Sequence, residues 1–185
     1  MICSKSDSDS VEKCAELLKM EEVLVLPTDT VYGFSGIIEK TDGKIRKIKG
    51  RSETKPFIVL ISSPEELSSI SDDAVPEKLL SFWPGPLTLI VKKRNSDQTV
   101  AVRCPGDQWL RSVIKAAGSP VYSTSVNRSG SPVLTKVSDI RDEFESEVSL
   151  IVDDGDSESS VPSTIVKIED GKVEAGKLSN QQIEK

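Results

Sequence analysis

Histidine is absent from this 185-residue chain. Its absence removes the commonest general base, every histidine-based triad and the commonest metal ligand. Cysteine is scarce. Cys3, Cys14 and Cys104 are odd in number and lack metal-ligand spacing, so three reduced thiols are expected rather than a disulfide framework or a zinc site. No apolar run approaches the length of a membrane span, and the N-terminal MICSKSDSDS lacks the apolar stretch of a signal peptide, so the expectation is a cytoplasmic protein without membrane contact. GxxxxGK[ST], GxGxxG and HExxH are all missing, which disfavours P-loop hydrolases, dinucleotide enzymes and zincins. Excess positive charge is missing too: 24 Lys and Arg stand against 30 Asp and Glu, for a formal net charge of -6. No overall field holds such a chain to nucleic acid or to an acidic membrane.

What is present is uneven in sign. Lys44, Arg46, Lys47, Lys49, Arg51 and Lys55 face a single acid, Glu53, within twelve residues, whereas the stretch from Asp139 to Lys185 holds 13 acids and 5 bases. A local basic cluster on an acidic chain suits a small anionic ligand better than a long polyanion, because a pocket needs only a few charges.

Length and a 36% hydrophobic content predict one domain spanning residues 1–185. Val11, Cys14, Ala15, Leu17 and Leu18 recur at helical spacing over 11–20, with Asp9 and Glu12 placed to cap. Residues 23–26 are four consecutive apolar residues and read as a strand buried on both faces. A helix over about 41–50, a strand at 57–61 and a short helix opened by a Ser63–Glu66 capping box follow. Strands are expected at 87–91, 99–103, 120–124 and 148–152, a helix at 107–117 closed by Gly118, and a final hairpin turning at Asp170-Gly171. The residues after 124 read as a Ser-rich loop and DDGDSESSVPS (153–163) as a flexible one. Such a mixture implies an α/β sandwich whose sheet has both parallel and antiparallel pairs.

Polar clusters lie at or near the ends of these strands: PTDTVYG (27–33), KGRSETKP (49–56), TVAVRCP (99–105), STSVNRSG (123–130) and PSTIV (162–166). Singly, each is a turn, a loop or a solvated helix face. Together they can converge, because ligands in open α/β sheets gather outside strand ends. WPGPLT (83–88) closes a helix and aims the next strand, since proline bars helical continuation; Trp83 walling a ligand pocket is the alternative.

PTDTVYGF, KGR followed by KP, WPGPLT, VAVRCP, STSVNRSG and PSTIV, in this order, resemble the threonylcarbamoyl-adenylate synthase family, the YrdC-like domain, over about residues 10–176. The resemblance implies a twisted mixed parallel/antiparallel sheet with flanking helices and a concave, positively lined face, in the short single-domain form. It implies that L-threonine, bicarbonate or CO2 and ATP become threonylcarbamoyl-adenylate and pyrophosphate. The product then passes to the tRNA threonylcarbamoyl-transfer machinery, which modifies position 37 of tRNA, with weak direct tRNA contact as a further implied property. Mg²⁺ would accompany ATP, with no protein-bound metal. Carried over motif by motif, Lys49 and Arg51 are catalytic at the phosphates; Arg51, Lys55, Thr99, Ser125 and Asn127 contact ATP; Thr28, Tyr32, Arg103, Ser123 and Ser163 hold threonine. This chain departs from the family pattern at Val173-Glu174-Ala175-Gly176, where relatives show Leu-Arg-x-Gly. The competing readings are an RNA-binding module using the same basic face and a carbamoyl-transfer domain of the hydrogenase-maturation type.

Overall fold

The computed structural model describes residues 1–50, 56–157, 163–169 and 172–173. Among them, ten strands form one sheet: β1 (Ile2–Ser4), β2 (Leu24–Leu26), β3 (Gly33–Ile37), β4 (Ile58–Leu60), β5 (Leu87–Lys92), β6 (Thr99–Arg103), β7 (Val121–Ser125), β8 (Leu150–Asp153), β9 (Thr164–Glu169) and β10 (Lys172–Val173). Their order is β1-β8-β2-β3-β7-β4-β6-β5-β9-β10. Parallel pairs (β1/β8, β2/β8, β4/β6, β5/β9) and antiparallel pairs (β2/β3, β3/β7, β4/β7, β5/β6, β9/β10) are mixed, as the sequence predicts.

The apolar run at 23–26 forms β2 for the expected reason. Leu24 and Leu26 enter one core cluster and Val25 enters another, because successive side chains on a strand point to opposite faces. The first cluster is roofed by α1 (Ser10–Lys19) and α5 (Gln108–Ala117) through Cys14, Ala15, Leu18, Leu110, Val113 and Ile114. The second packs α2 (Asp42–Lys49) and α6 (Val137–Phe144) against the opposite face through Ile45, Ile48, Ile140 and Phe144. A third, built on Val59, Leu89, Val102 and Val166, takes in α3 (Leu67–Ile70) and α4 (Glu77–Leu80). Asp107 caps α5 by accepting the Leu110 N–H at 3.0 Å, and Gly118 ends it in the left-handed conformation (φ 74°). Cys3, Cys14 and Cys104 are buried free thiols.

Several local expectations differ from the structure. Residues 33–37, GFSGI, form β3 although two glycines weaken any strand signal, and α6 lies inside the segment read as a Ser-rich loop. β1 was also unexpected, whereas α4 is the helix that WPGPLT was read as closing. Asp9 stands at the N-cap of α1 without a side-chain capping bond. The Ser63–Glu66 capping box does not form; Ser62 Oγ donates to Glu66 Oε1 instead, and a 3-10 turn over Pro64–Glu66 leads into α3. Trp83 packs in the third cluster and donates its Nε1–H to Leu87 O at 2.6 Å, the structural role the two prolines suggested. No helix among the described residues is long and apolar enough to cross a membrane.

Candidate active site

The turn between β2 and β3 is built by its own hydroxyls. Thr28 Oγ1 donates to Val31 O (2.7 Å), accepts from the N–H groups of Thr30 (3.1 Å) and Val31 (3.2 Å), and lies 3.0 Å from Thr30 Oγ1. Short hydroxyl side chains that bond back to the chain favour such turns over helix or ladder. The turn then opens into Gly33. A Cβ there would stand 2.6 Å from Ser123 Oγ, so glycine lets β3 approach the Ser123 hydroxyl of β7.

Arg103, the last residue of β6, lies beside Leu60 of the parallel β4 and is 4% exposed. Its Nη2 donates to Asp29 Oδ1 and its Nη1 to Thr30 Oγ1 (3.1 Å); its buried Nε has no partner among the described residues. Burial pushes the guanidinium down to about 10, so it remains charged at neutral pH. Ser163 is buried, with its Oγ 2.8 Å from Thr88 Oγ1. Thr28, Arg103, Ser123, Ser125 and Ser163 converge on one cavity of about 250 Å³, walled on its apolar side by Val31, Phe57, Ile58 and Leu60. A buried cation beside several hydroxyls and an apolar wall can recognise a small molecule bearing one carboxylate.

Lys49 is placed otherwise than as an open phosphate ligand. It is the final residue of α2, 3% exposed, and Gly50 turns the chain away in the left-handed conformation (φ 60°). Its ammonium donates to Ser125 O (2.5 Å), Asn127 O (3.0 Å) and Asn127 Oδ1 (2.8 Å). Asn127 Oδ1 also accepts from Ser125 Oγ (2.9 Å), and Asn127 Nδ2 donates to Ser131 O (2.6 Å). Lys49 thus grips, from beneath, the chain that carries Ser125 and Asn127. The rest of the basic run is partly committed as well: Arg46 donates to both oxygens of Asp42 (2.6 and 3.1 Å), and Lys44 donates to Glu21 O (2.7 Å).

Two further residues lie apart from the 250 Å³ cavity. Tyr32 faces a neighbouring cavity of about 170 Å³ that shares Thr28 with it. Its hydroxyl accepts from Asp154 N–H and donates to Gly155 O, both at 2.8 Å, and burial raises the phenol above its ordinary range. Residues 154–157 of the expected flexible loop are held down there, with Ser157 N–H also donating to Thr135 O (2.8 Å). Thr99 stands at the other end of β6 from Arg103, a distance of about 13 Å at the usual strand rise, and borders a larger cavity of about 950 Å³. Pro56 and Phe57 border both that cavity and the smaller one. Between Thr99 and Arg103, strand alternation puts Ala101 on their face of the sheet, beside Ile90. Ala101 and Ile90 are half-buried and belong to none of the three core clusters among the described residues. Arg51, Lys55 and Glu174 lie outside the described residues, as does the Asp170-Gly171 turn.

Asp29, Thr30 and Thr88 were not anticipated. An Asp between two threonines is explained locally by a turn, and nothing in the sequence joins it to an arginine 74 positions away. The only available signal was chemical: a buried arginine needs a counter-charge.

Residues 16–177 match the family model Sua5/YciO/YrdC, described as "telomere recombination". A threonylcarbamoyl-AMP synthase of Bacillus subtilis is 32% identical over 97% of this chain and 57% of its own length. A putative threonylcarbamoyl-AMP synthase of Methanocaldococcus jannaschii is 32% identical over 88% of this chain and 84% of its own. The crystal structure of Pyrococcus abyssi Sua5 complexed with L-threonine superposes with a TM-score of 0.78 at 29% identity, over 85% of this chain and 50% of that one. The chain therefore spans about half the length of the Bacillus and Pyrococcus proteins it matches.

Proposed function

The chain belongs to the Sua5/YciO/YrdC family, and from that premise we propose that it is an L-threonylcarbamoyladenylate synthase acting in the cytoplasm. The observation that carries this reading is the 250 Å³ cavity, in which a buried arginine, three or more hydroxyls and an apolar wall meet as an amino acid with a β-hydroxyl and a methyl requires. A relative crystallised with L-threonine supports it. Arg103 takes the carboxylate; Thr28, Ser123 and Ser163 surround the amine and hydroxyl. The nucleotide runs from Ser125 past Pro56 toward Thr99, over the half-buried sheet face, with Arg51 and Lys55 assigned to its phosphates.

In this reading the threonine amine captures CO2 or bicarbonate as a carbamate. A carbamate oxygen attacks the α-phosphorus of ATP, the bond to the bridging oxygen breaks, and pyrophosphate leaves. No covalent enzyme intermediate and no histidine are needed; the protein contributes positioning and charge stabilisation. Mg²⁺ accompanying ATP would supply charge neutralisation at the phosphates. Among the described residues no group of three or more Cys, Asp or Glu side chains stands close enough to hold an ion. The adenylate then serves the machinery that modifies tRNA at position 37. Direct RNA binding by the basic run is the weaker reading, because Lys49 is buried and Arg46 is paired with Asp42.

Pyrophosphate release measured with ATP and bicarbonate, with and without L-threonine, tests the proposal. Threonine-dependent release is expected. Release that ignores threonine, or RNA retention at moderate salt without any release, refutes it.

A further inference from the structure

A guanidinium offers five donors in one plane, arranged as an end formed by Nη1 and Nη2 and a side formed by Nε and Nη2. In Arg103, Nη2 donates to Asp29 Oδ1 and Nη1 to Thr30 Oγ1 (3.1 Å), so both terminal nitrogens are tied to the turn between β2 and β3. Nε is buried and has no partner among the described residues. Arg103 therefore has both terminal nitrogens held by one turn, and the residue lines the 250 Å³ cavity.

Both partners are themselves held. Asp29 Oδ2 accepts the Gly106 N–H at 2.8 Å, and a Cβ on Gly106 would stand 3.0 Å from that oxygen, so the glycine leaves room for the carboxylate. Thr30 Oγ1 lies 3.0 Å from the hydroxyl of Thr28, which builds the turn. One turn thus carries a residue lining the cavity and the clamp on the cavity's cation.

We infer that Asp29 is a positioning residue: together with Thr30 it fixes the Arg103 guanidinium, charged and oriented, at the cavity wall, where it receives the carboxylate of the amino-acid substrate. The inference rests on the amino-acid reading of the cavity given above. Arg103 then serves two carboxylates, since each Nη carries two protons. Asp29 supplies a permanent counter-charge that keeps a buried cation ordered before substrate arrives, and the substrate supplies the second. The competing arrangement is one in which Asp29 occupies the place the substrate carboxylate would take, so that it opposes binding. The two make opposite predictions.

The test compares L-threonine with L-threoninol, which carries a neutral hydroxymethyl group in place of the carboxylate, by calorimetric titration into the full chain. Asp29→Asn keeps an acceptor for Gly106 N–H and removes the charge. It should weaken L-threonine about 10- to 100-fold, the scale of a misplaced contact group, while changing L-threoninol and ATP by less than about twofold. Thr30→Val should weaken L-threonine about three- to tenfold with the same selectivity, and Thr30→Ser should restore it, which keeps the test open if Asp29→Asn folds poorly. Equal losses for both amino-acid ligands, with a lowered melting temperature, would assign Asp29 a purely structural role and overturn the inference. Tighter L-threonine binding in Asp29→Asn would overturn it in favour of competition. A wild-type chain that binds neither compound would overturn the amino-acid reading itself and the inference with it.

Discussion

Replacing Lys49 by Met separates an ammonium that works on the phosphates from one that builds the site. The side chain is 3% exposed and, among the described residues, supplies three hydrogen bonds, two to the backbone carbonyls of Ser125 and Asn127 and one to Asn127 Oδ1. Methionine fills much of the same volume without a donor. Asn127 Oδ1 keeps Ser125 Oγ as a partner at 2.9 Å, so the variant strands chiefly two carbonyls. Each buried acceptor left without a partner costs about 1–3 kcal/mol. Removing the desolvation of a buried ammonium offsets part of that. The net expectation is a loss of about 2–4 kcal/mol, equivalent to a fall in Tm of roughly 4–16 °C for a domain of this size. Turnover should fall as well, because Ser125 and Asn127 lose their anchor. Thermal melts, read beside pyrophosphate release at saturating ATP, measure both. A Tm within about 1 °C of wild type, with ATP affinity selectively lost, would refute the reasoning and place the ammonium on the nucleotide.

Other outcomes follow from single contacts. Arg103→Lys should weaken L-threonine far more than ATP in paired titrations, since an ammonium cannot reproduce the fork shared between Asp29 and a substrate carboxylate. Gly33→Ala puts a Cβ 2.6 Å from Ser123 Oγ and should destabilise the fold by about 1–3 kcal/mol while raising KM for threonine above any change for ATP. Burial pushes the Cys14 thiol up to about 12 and the Cys104 thiol to about 11, from 9.0, so the folded chain holds these protons longer than the unfolded one. Stability should therefore be flat below about pH 9 and fall as pH rises beyond it, by about 4 kcal/mol from Cys14 alone at pH 12. Urea titrations at pH 8, 9 and 10 check this, and Cys14→Val should make the fall shallower; an unaltered slope would contradict the assignment.

Periodicity revealed the elements that bury a continuous face. Val23–Leu26 and the stretch around Ile58–Leu60 are apolar on both faces, and α5 announces itself through Leu110, Val113, Ile114 and Ala117 between an Asp cap and a Gly stop. β3 was hidden because its glycines exist to let another strand approach, a tertiary reason that lowers local propensity. α6 was legible in Val137, Ile140 and Phe144 at helical spacing, but the serines, Gly130 and Pro132 before it drew the segment into a loop. At the site, Arg103, Ser123, Ser125 and Ser163 meet at one cavity, and the motif order had pointed to them together. Lys49, assigned to the phosphates by its motif, is buried at the end of α2 against the chain carrying Ser125 and Asn127, a placement that no local sequence pattern announces. Asp29 was invisible because its partner is brought by the fold, not by the neighbouring sequence.

Sheet order also governs when the cavity can exist. β2 lies between β3, made next, and β8, made last but two; β5 awaits β9, with Leu87 opposite Thr164. Ser163 is synthesised 135 residues after Thr28, which at about 5–20 residues per second is roughly 7–27 s on the ribosome. Until β8 is made, β2 carries an unsatisfied edge of apolar residues, an invitation to pair with a stray strand. Distant pairings of this kind slow folding, because loops must close before contacts reward them. A nascent chain stopped before β8 would thus lack part of the cavity wall and carry an open strand edge at residues 24–26.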